Sequence, residues 1–437
     1  MKVCKFGGTS MANSKTISQV ADIIIADSTR AFVVVSAPGK RDSGDVKVTD
    51  ALYACAREKA EKGNCDEAFA VIEKRFVDIE KELGINIGIK KELAAIKKKI
   101  EDGAGVDFIA SRGEYLSAKV LAAKLGVPFV DTEELIKFGT QGELLLDLSL
   151  DLIRARLAEC DRAVLPGFYG SDKNGEVKTF SRGGSDITGA IIARAMNADV
   201  YENWTDVDGF LTADPRIIDK PALIDCLSYK ELRELAYMGA EVLHPESIFP
   251  VRSAGIPINI RNTFNPSAKG TMIVADSKKN TNGGRVVTGI AGRKGFTIIN
   301  IEKDMMNREI GFGRKALSVL EYEGVSFEHM PSGIDTLSLV IRDEYISGSA
   351  QKLVGQLRAA LDADNIEIHS GLSLIAVVGN NMASRQGTAA TIFTALAESH
   401  VNIRMIDQGS SEMNIIVGVD TFDYEKAISA IYYSFEA

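Results

Sequence analysis

Short apolar runs alternate with helical periodicity through the first two thirds of the chain. Lys2–Phe6 and the run AFVVVS at Ala31–Ser36 predict strands, with a helix over Ser14–Ala26 between them. Further short strands are predicted at Val106–Ala110, Phe129–Asp131, Ala163–Leu165 and Val200–Asn203. This alternation predicts an α/β fold with a mainly parallel sheet sandwiched by helices.

Ligands of such sheets bind beyond the carboxyl ends of the strands. We therefore expect the chemistry in the loops after Phe6, Ser36, Ala110 and Asn203. The Lys- and Glu-rich stretch Glu58–Glu101 has helical patterns without strands, and we interpret it as a solvated helical insertion.

The pattern changes after about Asn280, where NTNGG resembles a linker, and two copies of a βαββαβ unit follow. The first copy is predicted to have strands at Phe296–Glu302, Val325–Met330, Thr336–Arg342 and Ile366–Ser370 and helices at Arg308–Glu323 and Ile346–Leu361. The second is predicted to have strands at Ser373–Val378, Val401–Ile406 and Met413–Val419 and helices at Gln386–Ser399 and Tyr424–Phe435. The second copy lacks a last strand, and we hypothesise that Val286–Ile290 fills that place. The predicted domains are 1–280, 286–370 and 371–437.

Composition narrows the class of protein. Of 437 residues, 45% are hydrophobic and 25% are charged, which is typical of globular proteins. No apolar run approaches the roughly 20 residues that cross a bilayer, and the chain opens on a strand without a signal-peptide pattern, so we expect a cytoplasmic protein. Five scattered cysteines without a CxxC pair argue against a disulfide framework or a zinc site. A net charge of −9 without a basic stripe argues against nucleic-acid binding.

The stretch KFGGTS, Lys5–Ser10, has the parts of a phosphate-binding loop, but its lysine precedes the glycines and no Walker pattern occurs. Gly7 and Gly8 would let backbone amides approach an anion, and the following helix would add its positive end. The alternative is a tight strand-to-helix turn without a ligand.

A second stretch, TFSRGGSD at Thr179–Asp186, again places Gly-Gly-Ser before an apolar helix, predicted at Ile187–Met196. Arg182 offers a planar fork that suits a carboxylate or a phosphate. Two such turns on one sheet predict a site for two anions, against the alternative of two unrelated turns.

Two further stretches allow both a functional and a structural interpretation. In ENWTDVDGFLTADPR, Asp206 and Asp208 suit a metal or nucleotide, but a plain Asp-rich turn fits equally, and Arg216 beside Pro215 could be structural. In SRGEYLSAK, Glu114 is predicted in the first turn of a helix after a strand, where stabilisation of the helix dipole would explain it. The histidines, His244, His329, His369 and His400, show no metal-ligand or triad spacing.

Together these motifs resemble the aspartate kinases of the amino-acid kinase family. The resemblance is carried, in order, by KFGGTS, VVVSAPG with VTDALYA, SRGEYLSA, SRGGSDITGA, WTDVDGFLTADPR, MGAEVLHP and IRNTFNPSAKGT. The tail resembles the paired ACT regulatory domains of that family. The chain departs from the family pattern at Glu241, near Phe210 and Leu211, and in a longer loop over Pro38–Val48.

The resemblance implies transfer of the γ-phosphoryl group of MgATP to the β-carboxylate of L-aspartate, without a metal cage made by the protein alone. It implies contacts to the transferring phosphoryl and ATP from Lys5, Gly7, Gly8, Thr9, Thr205, Asp206 and Arg216, with Asp186 organising the catalytic lysine. It implies contacts to aspartate from Arg182 at a carboxylate and Glu114 at the ammonium, with Ser36, Thr49 and Ser185 nearby.

The ACT resemblance implies feedback by an amino acid, with lysine favoured and threonine next, and a homodimer or homotetramer formed through the ACT domains. The candidate effector contacts are Met306, Phe312, Ser326, Glu328 and Asp335, each of which could equally be an ordinary core or turn residue. Two alternatives to the aspartate kinase function stay open, a non-catalytic amino-acid sensor and a sister kinase acting on another carboxylate.

Overall fold

The computed structural model describes residues 1–181, 183–240, 242–243, 245–275 and 285–436. Two compact units are present, and each is made of several chain segments. The first comprises Met1–Phe210, Leu223–Leu232 and Glu241–Asn280, and the second comprises Leu211–Ala222, Arg233–Ala240 and Thr281–Ala437. The second unit therefore includes two segments from within the predicted domain 1–280. The predicted linker NTNGG, Arg182 and Glu241 lie outside the described residues.

A seven-stranded sheet lies at the centre of the first unit, in the order β3-β2-β1-β6-β8-β9-β7. Its strands are β1 (Lys2–Phe6), β2 (Arg30–Val35), β3 (Ala163–Pro166), β6 (Val200–Thr205), β7 (Cys226–Ser228), β8 (Ile258–Asn262) and β9 (Thr271–Val274), and β4 (Tyr169–Ser171) and β5 (Val177–Thr179) form a separate hairpin. Within the seven-stranded sheet, only the β8–β9 pair is antiparallel among the described residues. The sheet is therefore mainly parallel, as predicted.

Helices connect these strands. They are α1 (Ser14–Ile25), α2 (Val48–Lys62), α3 (Asp66–Leu83), α4 (Ile89–Glu101), α5 (Val106–Leu125), α6 (Leu146–Leu157), α7 (Gly184–Ala195), α8 (Tyr229–Tyr237) and α9 (Phe249–Ala254). One hydrophobic core joins β1 and β2 with α1 to α5. None of the helices in the described part of the chain is long and apolar enough to cross a membrane.

Three predictions for the first unit are wrong. Val106–Ala110 is the start of α5, because a short apolar run does not distinguish a strand from a buried helix. The strand expected at Phe129–Asp131 is reduced to a single bridge between Phe129 and Val164. The charged stretch Glu58–Glu101 is not merely a solvated insertion, since α3 and α4 bury an apolar face in the main core.

The second unit contains a five-stranded antiparallel sheet in the order β11-β10-β12-β14-β13. The strands are β10 (Gly289–Glu302), β11 (Thr336–Arg342), β12 (Asn365–Val378), β13 (Ile403–Asp407) and β14 (Asn414–Asp420). The helices are α10 (Phe312–Glu323), α11 (Asp343–Ile346), α12 (Ala350–Leu361), α13 (Thr388–Glu398) and α14 (Tyr424–Glu436). The predicted class, an α/β sheet followed by two α+β units, is confirmed.

Two long strands, β10 and β12, run through both predicted copies. Gly289–Lys294 pairs with Ser373–Val378, so the beginning of β10 lies in the sheet of the second copy. The pairing register shifts around Gly295, which has a φ of +94°. The strand predicted at Val325–Met330 is wrong, because only His329 forms a bridge there, to Val340.

Candidate active site

Four neighbouring parallel strands of the first unit, β1, β2, β3 and β6, end at the same edge of the sheet. The loops that leave this edge begin with Gly7, Ser36, Gly167 and Asp206. Helix α7 contacts β1, β2 and β6, and the contact of Lys5 with Asp186 in its first turn brings its N-terminus to the same region. The sheet topology thus gathers most of the predicted site residues at one edge.

Lys5, near the end of β1, joins the two glycine turns. Its side chain is almost buried, and its Nζ lies 2.8 Å from Oδ1 of Asp186 in the first turn of α7. Asn203 is paired with Lys5 in the β1–β6 register and donates from Nδ2 to the same Asp186 oxygen, at 2.8 Å. Asp186 therefore fixes the position of the lysine amine at the sheet edge.

The glycines of the first turn permit close approach of backbones. The Gly7 N–H donates to the Trp204 carbonyl at 3.0 Å, so it is already used within the protein. A Cβ on Gly8 would lie 3.0 Å from the Ala37 carbonyl oxygen, and the Gly39 N–H donates to the Gly8 oxygen at 2.7 Å. A short 3-10 turn that begins at Thr9 separates the glycines from α1, so the first glycine pair does not itself open an α-helix.

The second glycine turn does open a helix directly. Gly183 adopts a left-handed conformation, with φ of +58°, at the N-cap of α7, and Ser185 is buried in the first turn. A Cβ on Gly167 would lie only 2.5 Å from the Ser185 Oγ, so the loop after β3 packs directly against this turn. Arg182, the predicted carboxylate ligand, lies outside the described residues.

Phe168 in the loop after β3 is a feature that the sequence analysis missed. Its φ is +80°, a conformation that a large side chain rarely adopts, and a Cβ on Gly184 would clash with its ring at 2.5 Å. Strained backbone of this kind concentrates at binding sites. The available signal was an aromatic residue after a glycine at the end of a buried strand.

Glu114 is a buried carboxylate with an incomplete set of partners. It lies within α5 rather than in the first turn after a strand, so the predicted location is corrected. Its side chain is 5% exposed, and the Ala37 N–H donates to it. Its Oε2 has no hydrogen-bond partner among the described residues. Burial raises the pKa of Glu114 from about 4.5 to about 8.

The loop between β2 and α2 lies directly over Glu114. A Cβ on Gly113 would lie 2.6 Å from the Ala37 Cβ, so only glycine lets α5 come this close. The same loop carries Ser36, whose N–H donates to Phe6 O at 3.1 Å, and leads to Thr49 in the first turn of α2. Ser36 and Thr49 are both half-buried. Glu114 thus lies against the loop that carries Ser36 and leads to Thr49.

The predicted nucleotide contacts are distributed over both units. Thr205 ends β6 and donates from Oγ1 to Oδ1 of the exposed Asp206, at 3.2 Å. Asp208 accepts from Asn262 and Asn265, which favours the structural turn as its role. Arg216 belongs to the second unit, where its exposed guanidinium binds the Asp214 carboxylate at 2.6 to 3.1 Å.

A second buried carboxylate in the first unit, Glu202 on β6, has a full set of partners. Arg30 donates to both oxygens, at 2.7 and 3.3 Å, and Trp204 Nε1 donates at 2.9 Å. Lys2 Nζ lies 3.2 Å away. Burial favours a higher pKa for Glu202, but the hydrogen bonds and charge of Arg30 outweigh burial and hold the pKa below its usual value.

The predicted effector contacts in the second unit have three different environments. Met306 and Phe312 are buried in the core of the first copy, whereas Ser326 and Asp335 are exposed. Glu328 accepts from Arg342 Nε at 2.6 Å and from the Tyr237 hydroxyl. The structure therefore brings a residue from the segment Arg233–Ala240 into contact with a predicted effector residue.

No group of three or more His, Cys, Asp or Glu side chains suited to holding a metal ion occurs among the residues that the structure describes.

Comparisons with known proteins identify the family. The model of the amino acid kinase family matches residues 1–262, and an ACT domain model matches residues 375–435. Aspartokinase 3 of Bacillus subtilis is 40% identical, over 100% of this chain and 99% of its own length. The crystal structure of Clostridium acetobutylicum aspartate kinase, an allosteric enzyme, is 52% identical with a TM-score of 0.95 over all of both chains.

Escherichia coli aspartokinase III is 26% identical, with a TM-score of 0.77 over all of both chains. It has been solved in complex with aspartate and ADP in an R state and in complex with lysine and aspartate in a T state. The chain therefore belongs to the aspartokinases, the ATP-dependent carboxyl-phosphorylating enzymes of the amino acid kinase family.

Proposed function

We propose that this protein transfers the γ-phosphoryl group of MgATP to the β-carboxylate of L-aspartate and releases ADP and 4-phospho-L-aspartate. This reaction is the first step in the biosynthesis of lysine, threonine and methionine from aspartate. The carboxylate oxygen forms the new bond to phosphorus, and the bond between the γ-phosphorus and the bridging oxygen of ADP breaks. Because the nucleophile is already an anion, no base is needed, and catalysis depends on alignment and on neutralising charge.

The observation that carries this proposal is the unpartnered carboxylate oxygen of Glu114. A buried acceptor without a donor is costly, and an ammonium group would satisfy it. We assign Glu114 to the α-ammonium of aspartate, with Ser36, Thr49 and Ser185 beside it. Arg182 is proposed to bind a carboxylate of the same substrate.

Lys5 is proposed to neutralise the transferring phosphoryl group. Its contact with Asp186 holds the amine at the edge of the sheet, between the two turns that would hold the two anions. Gly8 and Thr9 would contact the phosphate groups of ATP. Gly7 would let the backbone come close to them, since its own N–H already donates to the Trp204 carbonyl. Thr205, Asp206 and Arg216 are proposed to contact the nucleotide, and Mg²⁺ would arrive with ATP on the phosphate oxygens.

We further propose feedback inhibition by lysine, with threonine as the second candidate, through two ACT domains at 286–370 and 371–437 that follow a catalytic domain at 1–280. The similarity to an enzyme solved with lysine in a T state supports this choice. Arg216, a proposed nucleotide contact, lies in a segment of the second unit. Met306, Phe312, Ser326, Glu328 and Asp335 remain the proposed effector contacts, and assembly is proposed to be dimeric or tetrameric through the ACT domains.

A coupled assay of ADP release tests the substrate and the effector together. We expect ADP release with MgATP and aspartate, little or none with glutamate, and inhibition by added lysine. A sister kinase would prefer another carboxylate, and a non-catalytic sensor would release no ADP with any acid. Absence of aspartate-dependent ADP release would overturn the proposed function.

Lys5→Ala is the sharpest test of the phosphoryl site. Removing one preorganised cation from the transition state should lower kcat by about 10²- to 10³-fold, while ATP binding weakens only modestly. Lys2→Ala, at the other end of the same strand, is the matched control and should leave kcat nearly unchanged. Equal kcat values for Lys5→Ala and the unmodified protein would exclude the assigned role.

A further inference from the structure

Arg75 is a buried arginine on α3, within the charged stretch that the sequence analysis interpreted as a solvated insertion. It is 3% exposed, although the neighbouring Lys74 is exposed. Burying a guanidinium is unfavourable unless its donors are satisfied. Four hydrogen bonds from Nη1 and Nη2 show where α3 is attached, and only Nε has no partner among the described residues.

The guanidinium of Arg75 joins two loops of the candidate active site. Its Nη1 donates to the Ala12 carbonyl at 3.3 Å, just after the turn that follows the Gly7–Gly8 pair, and to the Gly39 carbonyl at 3.0 Å. Its Nη2 donates to the Val46 carbonyl at 3.2 Å and to Asp45 Oδ2 at 2.6 Å. One side chain thus connects the loop after β1 with both ends of the loop between β2 and α2.

Asp45 binds Arg75 from within the loop between β2 and α2. Its carboxylate is 7% exposed and also accepts from the Arg41 N–H and Nε, both at 2.9 Å, and from Arg41 Nη2 at 3.0 Å. The hydrogen bonds from Arg41 hold the pKa of Asp45 well below its usual range, and the charge of Arg75 adds to this effect. The carboxylate therefore stays ionised and fixes the loop to Arg75.

The loop fixed in this way carries or adjoins two of the proposed aspartate contacts. It begins with Ser36 and leads to Thr49 in the first turn of α2, and the Val48 N–H donates to the Pro38 carbonyl at 3.0 Å. Its Ala37 N–H is the donor to Glu114. A shift of this loop would therefore move Ser36, Thr49 and the Ala37 N–H that donates to Glu114.

We propose that Arg75 is a positioning residue for aspartate binding, which sets the loop between β2 and α2 against the first glycine turn. The proposal rests on the proposed function, because it takes this loop as the aspartate-binding loop. Arg75 acts through Asp45 and the backbone of Gly39 and does not itself reach the substrate. The helical insertion thereby serves the substrate site as well as the core.

The test compares Arg75→Met with Arg75→Lys and with the matched control Lys74→Met on the same helix. Arg75→Met should raise the KM for aspartate by about tenfold or more, because a displacement of about 1 Å is enough to misplace substrate contacts. The KM for ATP should change by less than about threefold. Arg75→Lys restores the charge without the planar fork, so its aspartate KM should be intermediate, and Lys74→Met should match the unmodified protein.

Asp45→Asn provides the same test from the loop side, and it is the variant to use if Arg75→Met does not fold. An unchanged aspartate KM in a folded Arg75→Met or Asp45→Asn variant would overturn the proposal. So would equal increases in both KM values, which would indicate a general loss of folding rather than positioning. If the unmodified protein releases no ADP with aspartate, the proposed function fails, and that outcome is separate from any effect of Arg75.

Discussion

Two buried glutamates in the first unit have opposite environments. Glu202 is 1% exposed and receives charged donors from Arg30 together with the indole N–H of Trp204. Glu114 is 5% exposed, receives the Ala37 N–H and keeps one oxygen without a partner. The pKa of Glu202 is therefore lowered, and that of Glu114 is raised to about 8.

The difference separates a structural carboxylate from a binding carboxylate. The charge of Glu202 is compensated within the protein, and the guanidinium groups of Arg30 and Arg261 also stack over Trp204, at 5.1 and 4.7 Å from the ring centroid. The charge of Glu114 lacks such compensation, so a cationic ligand can supply it. Incomplete partners around a buried charge are therefore the feature that distinguishes the proposed site.

The largest expected effect comes from breaking the compensated cluster. Glu202→Gln leaves the Arg30 guanidinium buried without its carboxylate, which should lower the free energy of unfolding by about 3–5 kcal/mol. The measurement is denaturant unfolding, with the exposed Glu61→Gln as control. Stability equal to that of the control would contradict the structural role of Glu202.

Glu114→Gln should retain stability and instead impair the use of aspartate. Glutamine has the shape of the protonated glutamate that dominates near neutral pH, so stability should be retained. The lost charge pair with the ammonium should cost about 2–4 kcal/mol of binding free energy, which lowers kcat/KM for aspartate roughly 30- to 1,000-fold. Initial rates at varied aspartate, with the exposed Glu134→Gln as control, measure this effect. A variant that kept full kcat/KM would remove Glu114 from the site.

The smallest effect is a pH dependence that only Glu114 should produce. With a pKa of about 8, this carboxyl binds a proton at neutral pH, and the ammonium of aspartate requires the ionised form. Aspartate affinity should therefore rise with pH from 6 to 8 by up to about tenfold per pH unit. Glu114→Gln should remove this dependence. A pH-independent KM for aspartate in the unmodified protein would contradict the role of Glu114 as the titrating ligand.

The same pKa fixes the sign of a stability change. The folded state holds the Glu114 proton more tightly than the unfolded state, in which the pKa is about 4.5. The stability contributed by this group is thus fully present below that value and is lost as pH rises through about 8. Its loss amounts to at most about 1.4 kcal/mol per pH unit in the free enzyme.

Much of the fold could be predicted from the sequence because its periodicity is locally clear. β1, α1, β2 and the glycine turn at α7 are close to their predicted positions. Val106–Ala110 was assigned to the wrong element because a short segment with four apolar residues of five fits a strand and a buried helix equally. The strands predicted at Ile366–Ser370 and Ser373–Val378 form one strand, β12, which contains Gly371 with a φ of +79°.

Only those residues of the candidate site that lie in recognisable motifs could be predicted from the sequence. The resemblance to aspartate kinases implied an ammonium ligand at Glu114, but its unpartnered oxygen depends on how α5 packs against the loop at Ala37, which a sequence does not reveal. Arg75 was missed because it lies in a run of charged residues and shows its burial only in the folded protein. Phe168 was missed because its backbone conformation follows from packing between two glycine-containing turns.

Proton release on aspartate binding tests the central claim most directly. Isothermal titration calorimetry near pH 7, in buffers of different ionisation enthalpy and without ATP, counts the protons released per bound aspartate. Ionisation of Glu114 by the incoming ammonium predicts a release of close to one proton in the unmodified protein and close to none in Glu114→Gln. Binding without proton release in the unmodified protein, or the same release in both proteins, would contradict the assignment of Glu114 as the ammonium ligand.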